Sequence, residues 1–64
     1  MNTKIARIKA GLTQKELGML AGTSNVTIVK IEKGDIDSVK LGTLKSIAKA
    51  LNTTVMELFF TDEQ

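Results

Sequence analysis

The chain has 64 residues and contains no Cys, His, Trp, Tyr or Pro. One domain is the ceiling at this length, and with no Cys or His there can be no disulfide, no Cys/His zinc site, no thiol nucleophile and no imidazole base. The net charge of +2 is unevenly divided: residues 1–33 carry six cations against two carboxylates, and residues 34–64 carry three against five.

Turn signals divide the chain into five short segments, expected as helices at about 3–10, 14–21, 25–33, 41–51 and 55–60. Asn2 and Thr3 can cap the first, in which Ile5 and Ile8 share a face. Gly11 suits its C-terminal left-handed position, and Leu12 points back to the core. Thr13-Gln14-Lys15-Glu16 is a capping box opening a second helix, with Leu17, Leu20 and Ala21 as its apolar face. Gly18 weakens that helix by about 1 kcal/mol relative to Ala, which suggests a second helix packed closely there; Gly22 ends it.

The third segment, Val26-Thr27-Ile28-Val29-Lys30-Ile31, is β-branched and could be read as a strand. Helix is preferred. Ser24 can cap it, Gly34 can end it, Ile28 and Ile31 are three apart, and no second strand exists to pair its backbone. Residues 34–40 read as a polar loop. Leu41, Leu44, Ile47, Ala48 and Leu51 then repeat at helical spacing, with Lys45 and Lys49 on the other side. Asn52 can adopt the left-handed cap, and Thr54-Val55-Met56-Glu57 is a second capping box before Leu58, Phe59 and Phe60. Residues 61–64 are expected to fray.

Apolar residues at 42% and charged residues at 25% are ordinary soluble usage, and few aromatics with many Leu, Ile, Ala, Lys and Glu suit packed helices. No apolar run approaches 18 residues and the start is not a signal sequence, so the expected compartment is the cytoplasm. The two N-x-T matches, at Asn25 and Asn52, are then chance. The basic front half suggests a polyanion partner.

A capped helix, a short Gly-containing turn and a second capped helix form a helix-turn-helix signature around Ala21-Gly22-Thr23. Plotted at about 100° per residue, Ile28 and Ile31 face inward, while Val26, Val29, Lys30 and Lys33 cluster opposite, flanked by Asn25 and Thr27. Asn can pair with adenine, Lys can donate to guanine and an exposed Val can meet a thymine methyl. Packing of Val26 and Val29 under a loop or at a protein interface is the competing explanation.

The segment Leu17-Gly-Met-Leu-Ala-Gly-Thr-Ser-Asn-Val-Thr-Ile-Val-Lys-Ile-Glu-Lys-Gly34 resembles the phage repressor, Cro and xenobiotic-response-element-type DNA-binding domains. Their pattern, L-A-x-x-x-G-[VT]-[ST]-x-x-x-[IV]-x-x-[IWL]-E-x-G, is matched without a gap. The resemblance extends upstream to Arg7 and downstream to Phe59. It implies an all-α, five-helix, lambda-repressor-like fold. It further implies base or nearby backbone contacts from Ser24, Asn25, Val26 and Lys30, to which the face plot adds Val29, and phosphate contacts from Gln14 and Lys33. Lys15, Thr23, Thr27 and Lys40 are further expected phosphate contacts. Arg7 and Glu32 match a paired Arg–Glu joining the first helix to the end of the recognition helix. Gly18 departs from the commoner Ala, and Asp35 and Asp37 replace residues that are often basic.

The expected function is a sequence-specific double-stranded DNA-binding transcriptional regulator, a repressor, of bacterial or phage and mobile-element origin, with no cofactor, metal or catalytic activity. One short recognition helix discriminates poorly alone, so a homodimer on a palindromic operator is expected, meeting at Phe59 and Phe60. Regulation is expected through concentration, dimerisation or a partner protein. The alternative is an antitoxin or protein-interaction module using the same fold. A complete small protein and the DNA-binding piece of a larger regulator fit the sequence equally.

Overall fold

Five helices occupy residues 3–60, the residues described in the computed structural model: α1 (Thr3–Lys9), α2 (Gln14–Ala21), α3 (Asn25–Glu32), α4 (Leu41–Ala50) and α5 (Val55–Phe59). No strand lies among them, so the all-α expectation holds and the β-branched third segment is helical. Ala10 is a turn residue just past α1, and Lys33, Leu51 and Phe60 are caps, half inside their helices, where full helical residues were expected. Thr3 is the first residue of α1 and is buried; the expected cap at Asn2 and the expected fraying of 61–64 lie outside the described residues.

Side-chain oxygens open three of the helices. The Thr13 hydroxyl accepts from the Glu16 amide at 3.0 Å while the Glu16 carboxylate accepts from the Thr13 amide at 2.8 Å, completing the capping box. Ser24 accepts from the Thr27 amide, and Thr54 from the Glu57 amide, each at 3.1 Å. At α5 the Glu57 carboxylate accepts from the Thr53 hydroxyl.

Leu17, Ile28 and Ile47 have no exposed surface and, with Ile31, Leu44, Ala48 and Leu58, form the core. Each fully buried aliphatic side chain stabilises by about 1.5–3 kcal/mol. α2 is central, packing on both α3 and α4; α5 packs on α4, and α1 on α3. Leu12, Ala21, Ile36, Val39 and Leu51 close over the cluster.

The buried faces differ from expectation in two places, Leu20 and Leu41. Leu20 is 63% exposed, and α2 buries Leu17, Gly18 and, in part, Ala21. Two small residues let this side approach its neighbours, and that rotation carries Leu20 outward. Leu41 is exposed because helical side chains lean toward the N-terminus, so the first residue of α4 projects past the helix end. In α1, Ile5 and Ile8 are both exposed, while Thr3, Ala6 and Arg7 turn inward.

Gly18 and Gly22 fix the approach to α3 for different reasons. A Cβ on Gly18 would lie 3.0 Å from the Thr23 carbonyl oxygen and 3.4 Å from Ser24 backbone atoms. The close neighbour is therefore the turn backbone, not a helix, and the Thr23 amide donates to the Gly18 carbonyl at 2.8 Å. Gly22 has open space around it but sits at φ 73°, which costs an L-residue about 1–2 kcal/mol. Gly22→Ala should thus lower the unfolding free energy by about 1–2 kcal/mol in urea denaturation, and Gly22→Asn by less, because Asn tolerates this conformation. Gly18→Val should cost about 1–3 kcal/mol through crowding instead. Equal losses for Ala and Asn at position 22 would contradict the assignment.

Candidate nucleic-acid interface

α3 is fastened at both ends, and this decides which of its side chains face outward. At its start, Ser24 caps the helix and its hydroxyl lies 3.0 Å from that of Thr27, so the two engage each other. Asn25 and Val26 stand exposed beside them, Val26 at 68%. Ile28 and Ile31 are buried, so at about 100° per residue Val26 and Lys33, seven apart, lie farthest from the core. Val29 and Lys30 flank that line. Both are half-buried, which corrects the expectation that Val29 shares the exposure of Val26.

At the far end of α3, Glu32 joins three parts of the chain. The Arg7 Nε donates to Glu32 Oε2 at 2.6 Å, and Nη2 to Oε1 at 3.4 Å. The remaining Nη1 donates to the Leu12 carbonyl at 2.8 Å. Gln14 Nε2 donates to Glu32 Oε1 at 3.0 Å. The side chains of Arg7 and Glu32 are only 11% and 6% exposed. Burial alone would raise the Glu32 carboxyl, but hydrogen bonds from Arg7 and Gln14 and the charges of Arg7 and Lys4 outweigh it and hold it below 4.5.

This network brings the start of α2 to the end of α3. Gln14 has one amide hydrogen engaged with Glu32 and a second on the same nitrogen. Lys15 and Lys33, the next residues along each helix, are exposed, as is Lys40 at the start of α4. Thr23 is half-buried in the turn. Two partners were missed by sequence reasoning: Gln14 for Glu32, and Ser38 for Lys30, whose Nζ donates to Ser38 Oγ at 3.1 Å. Neither pair has a local sequence signal, since 18 and 8 residues separate them. On α5, Phe59 packs against the core and Phe60 is 55% exposed. Among the described residues no helix is long and apolar enough to cross a membrane.

A fastened, outward-facing helix held by a Gly turn to a central helix is the helix-turn-helix arrangement. A helix-turn-helix family model matches residues 4–58, and the chain belongs to that family. It is 37% identical to a protein of Archaeoglobus fulgidus named as an uncharacterized HTH-type transcriptional regulator, a likeness covering 100% of this chain and 93% of that one. It is also 34% identical over 56 residues, 88% of the chain, to a glutamine–fructose-6-phosphate aminotransferase (isomerizing) of Methanocaldococcus jannaschii. The chain spans only 5% of the aminotransferase's length, so that likeness is to one segment of it.

The lowered Glu32 carboxyl makes a pH prediction. A carboxyl lowered on folding contributes stability that is full above its unfolded value and is lost as the pH falls through the folded value. Glu32→Gln should therefore be less stable than the parent at neutral pH, and the gap in urea midpoint should narrow as the pH drops well below 4.5. A gap that stays constant over that range would contradict the charged-pair assignment.

Proposed function

We propose that this domain is a sequence-specific, double-stranded DNA-binding transcription regulator, a repressor, that lays α3 in the major groove. The observation that carries the reading is the exposed start of α3, where Asn25 and Val26 stand beyond the Ser24 cap, with Lys33 seven residues from Val26 on the same face. Eight residues rise about 12 Å, a length that lies within the groove over a few base pairs.

In this arrangement Asn25 pairs with an adenine edge, Val26 meets a thymine methyl and Lys30 donates to guanine acceptors. Ser24 and Val29 border these contacts. Lys33, Lys15, Lys40 and the second amide hydrogen of Gln14 hold phosphates, as do the backbone and hydroxyls around Thr23 and Thr27. Arg7 and Glu32 are frame residues.

The domain measures 30 × 26 × 18 Å. Adjacent half-sites on one face of a duplex lie about 34 Å apart, so two copies side by side come within contact distance. Phe60, exposed at the end of α5, supplies an apolar contact for a homodimer on a palindromic operator, with Phe59 supporting it from the core side.

Selection from random duplex DNA should enrich a palindromic consensus; no enrichment would favour a protein partner instead. On the selected site, Asn25→Ala should cost about 1–3 kcal/mol and relax one base-pair preference. Lys33→Ala should weaken binding to all sequences and reduce the salt slope by about one unit. Phe60→Lys should lower operator affinity while the domain stays folded; unchanged sedimentation and unchanged binding would exclude the α5 interface.

A further inference from the structure

The loop between α3 and α4 is a packed element. Ile36 and Val39 lie against the core, and the Val39 amide donates to the Ile36 carbonyl at 3.0 Å. At its start, the Asp35 amide donates to the Lys30 carbonyl at 3.0 Å. The loop is thus fastened to the core and to the last turn of α3. Between the two apolar anchors stands Ser38, whose hydroxyl accepts from Lys30 Nζ at 3.1 Å.

The choice of partner matters. Asp35 and Asp37 occupy the same loop, yet the ammonium is held by a neutral hydroxyl. A carboxylate would cancel the charge of Lys30, whereas a hydroxyl directs it and leaves the charge in place. Lysine is a point charge on a flexible four-carbon stem, so an untethered lysine reaches several neighbouring acceptors and discriminates little among them. Tethered, it spends one of its three N–H donors on Ser38 and presents the other two in a restricted direction.

We propose that Ser38, from outside the helix-turn-helix, is a positioning residue that sets the base preference of Lys30. The inference rests on the major-groove reading above. Ser38 need touch no base itself; it narrows the set of acceptors that Lys30 can meet.

The test measures binding of the full chain to its selected operator and to every single-base variant of it. Lys30→Ala identifies the base pair that Lys30 reads. Ser38→Ala should reduce preference at that same base pair by about three- to tenfold. It should leave the salt slope and the thermal midpoint unchanged, since no charge or core group is removed. Ser38→Thr should retain the preference, and Lys30→Ala combined with Ser38→Ala should lose no more than Lys30→Ala alone. The proposal is overturned if Ser38→Ala keeps the preference that Lys30→Ala removes, or weakens all sequences equally. If Lys30→Ala changes no preference at any position, Lys30 reads no base and this inference is overturned. The groove reading fails only if random-duplex selection enriches no site or Asn25→Ala also changes no preference.

Discussion

The Arg7 guanidinium is the fastening on which the rest of the structure depends. Its flat fork reaches both oxygens of Glu32 and, from its third nitrogen, the Leu12 carbonyl. It thereby ties α1, the connection into α2 and the end of α3 at a single point. An ammonium could not do this, since it lacks the fixed divergent donors of a guanidinium. Burying two charges is costly and is offset only when the remaining lone pairs are also satisfied. Gln14 meets that condition at Glu32 Oε1, and among the described residues no buried side-chain nitrogen or oxygen lacks a partner. The pair therefore fixes the geometry of three segments without leaving a buried charge unmatched. Together with the close approach of Gly18 to Thr23, it sets both ends of α3.

That fastening accounts for the unusual composition of α3. Val26, Thr27, Ile28, Val29 and Ile31 are all β-branched, a weak choice for a helix. Burial of Ile28 and Ile31, the Ser24 cap and the Glu32 anchor offset the low propensity. Because the helix does not depend on the propensity of its exposed residues, those positions are available for recognition. Val26, 68% exposed at the start of α3, adds little to the packing of this fold, which leaves its side chain free to serve the contact proposed above.

Local interactions were legible in the sequence and tertiary ones were not. The starts of α2, α3 and α5 follow from Thr13, Ser24 and Thr54, because a cap bonds within three residues of itself. The same holds for the left-handed residues Gly22 and Asn52. The buried face of α2 was misjudged at Leu20 because periodicity cannot register that Gly18 fits beneath the Thr23 carbonyl. The Arg7–Glu32 pair spans 25 residues and entered only through family resemblance. Ser38 was invisible, because the path of its loop is decided by where Ile36 and Val39 find the core.

The frame and the outward face of α3 use different residues, and this separation governs what the fold can support. Arg7, Gly18, Gly22, Ile28, Ile31 and Glu32 determine where α3 lies; Asn25, Val26 and Lys33 contribute almost nothing to that position. The same division appears at the last helix, where Phe59 packs on the core and Phe60 projects from it. The outward set can change without disturbing the frame, which is how a shared fold need not carry a shared target. Lys30 is the exception. It lies between the two sets, half-buried and bonded through its exposed tip to a loop that the core itself positions. Core packing thus reaches Lys30 through Ile36, Val39 and Ser38, because the loop that holds its ammonium is placed by two side chains packed on the core that also contains Ile28 and Ile31.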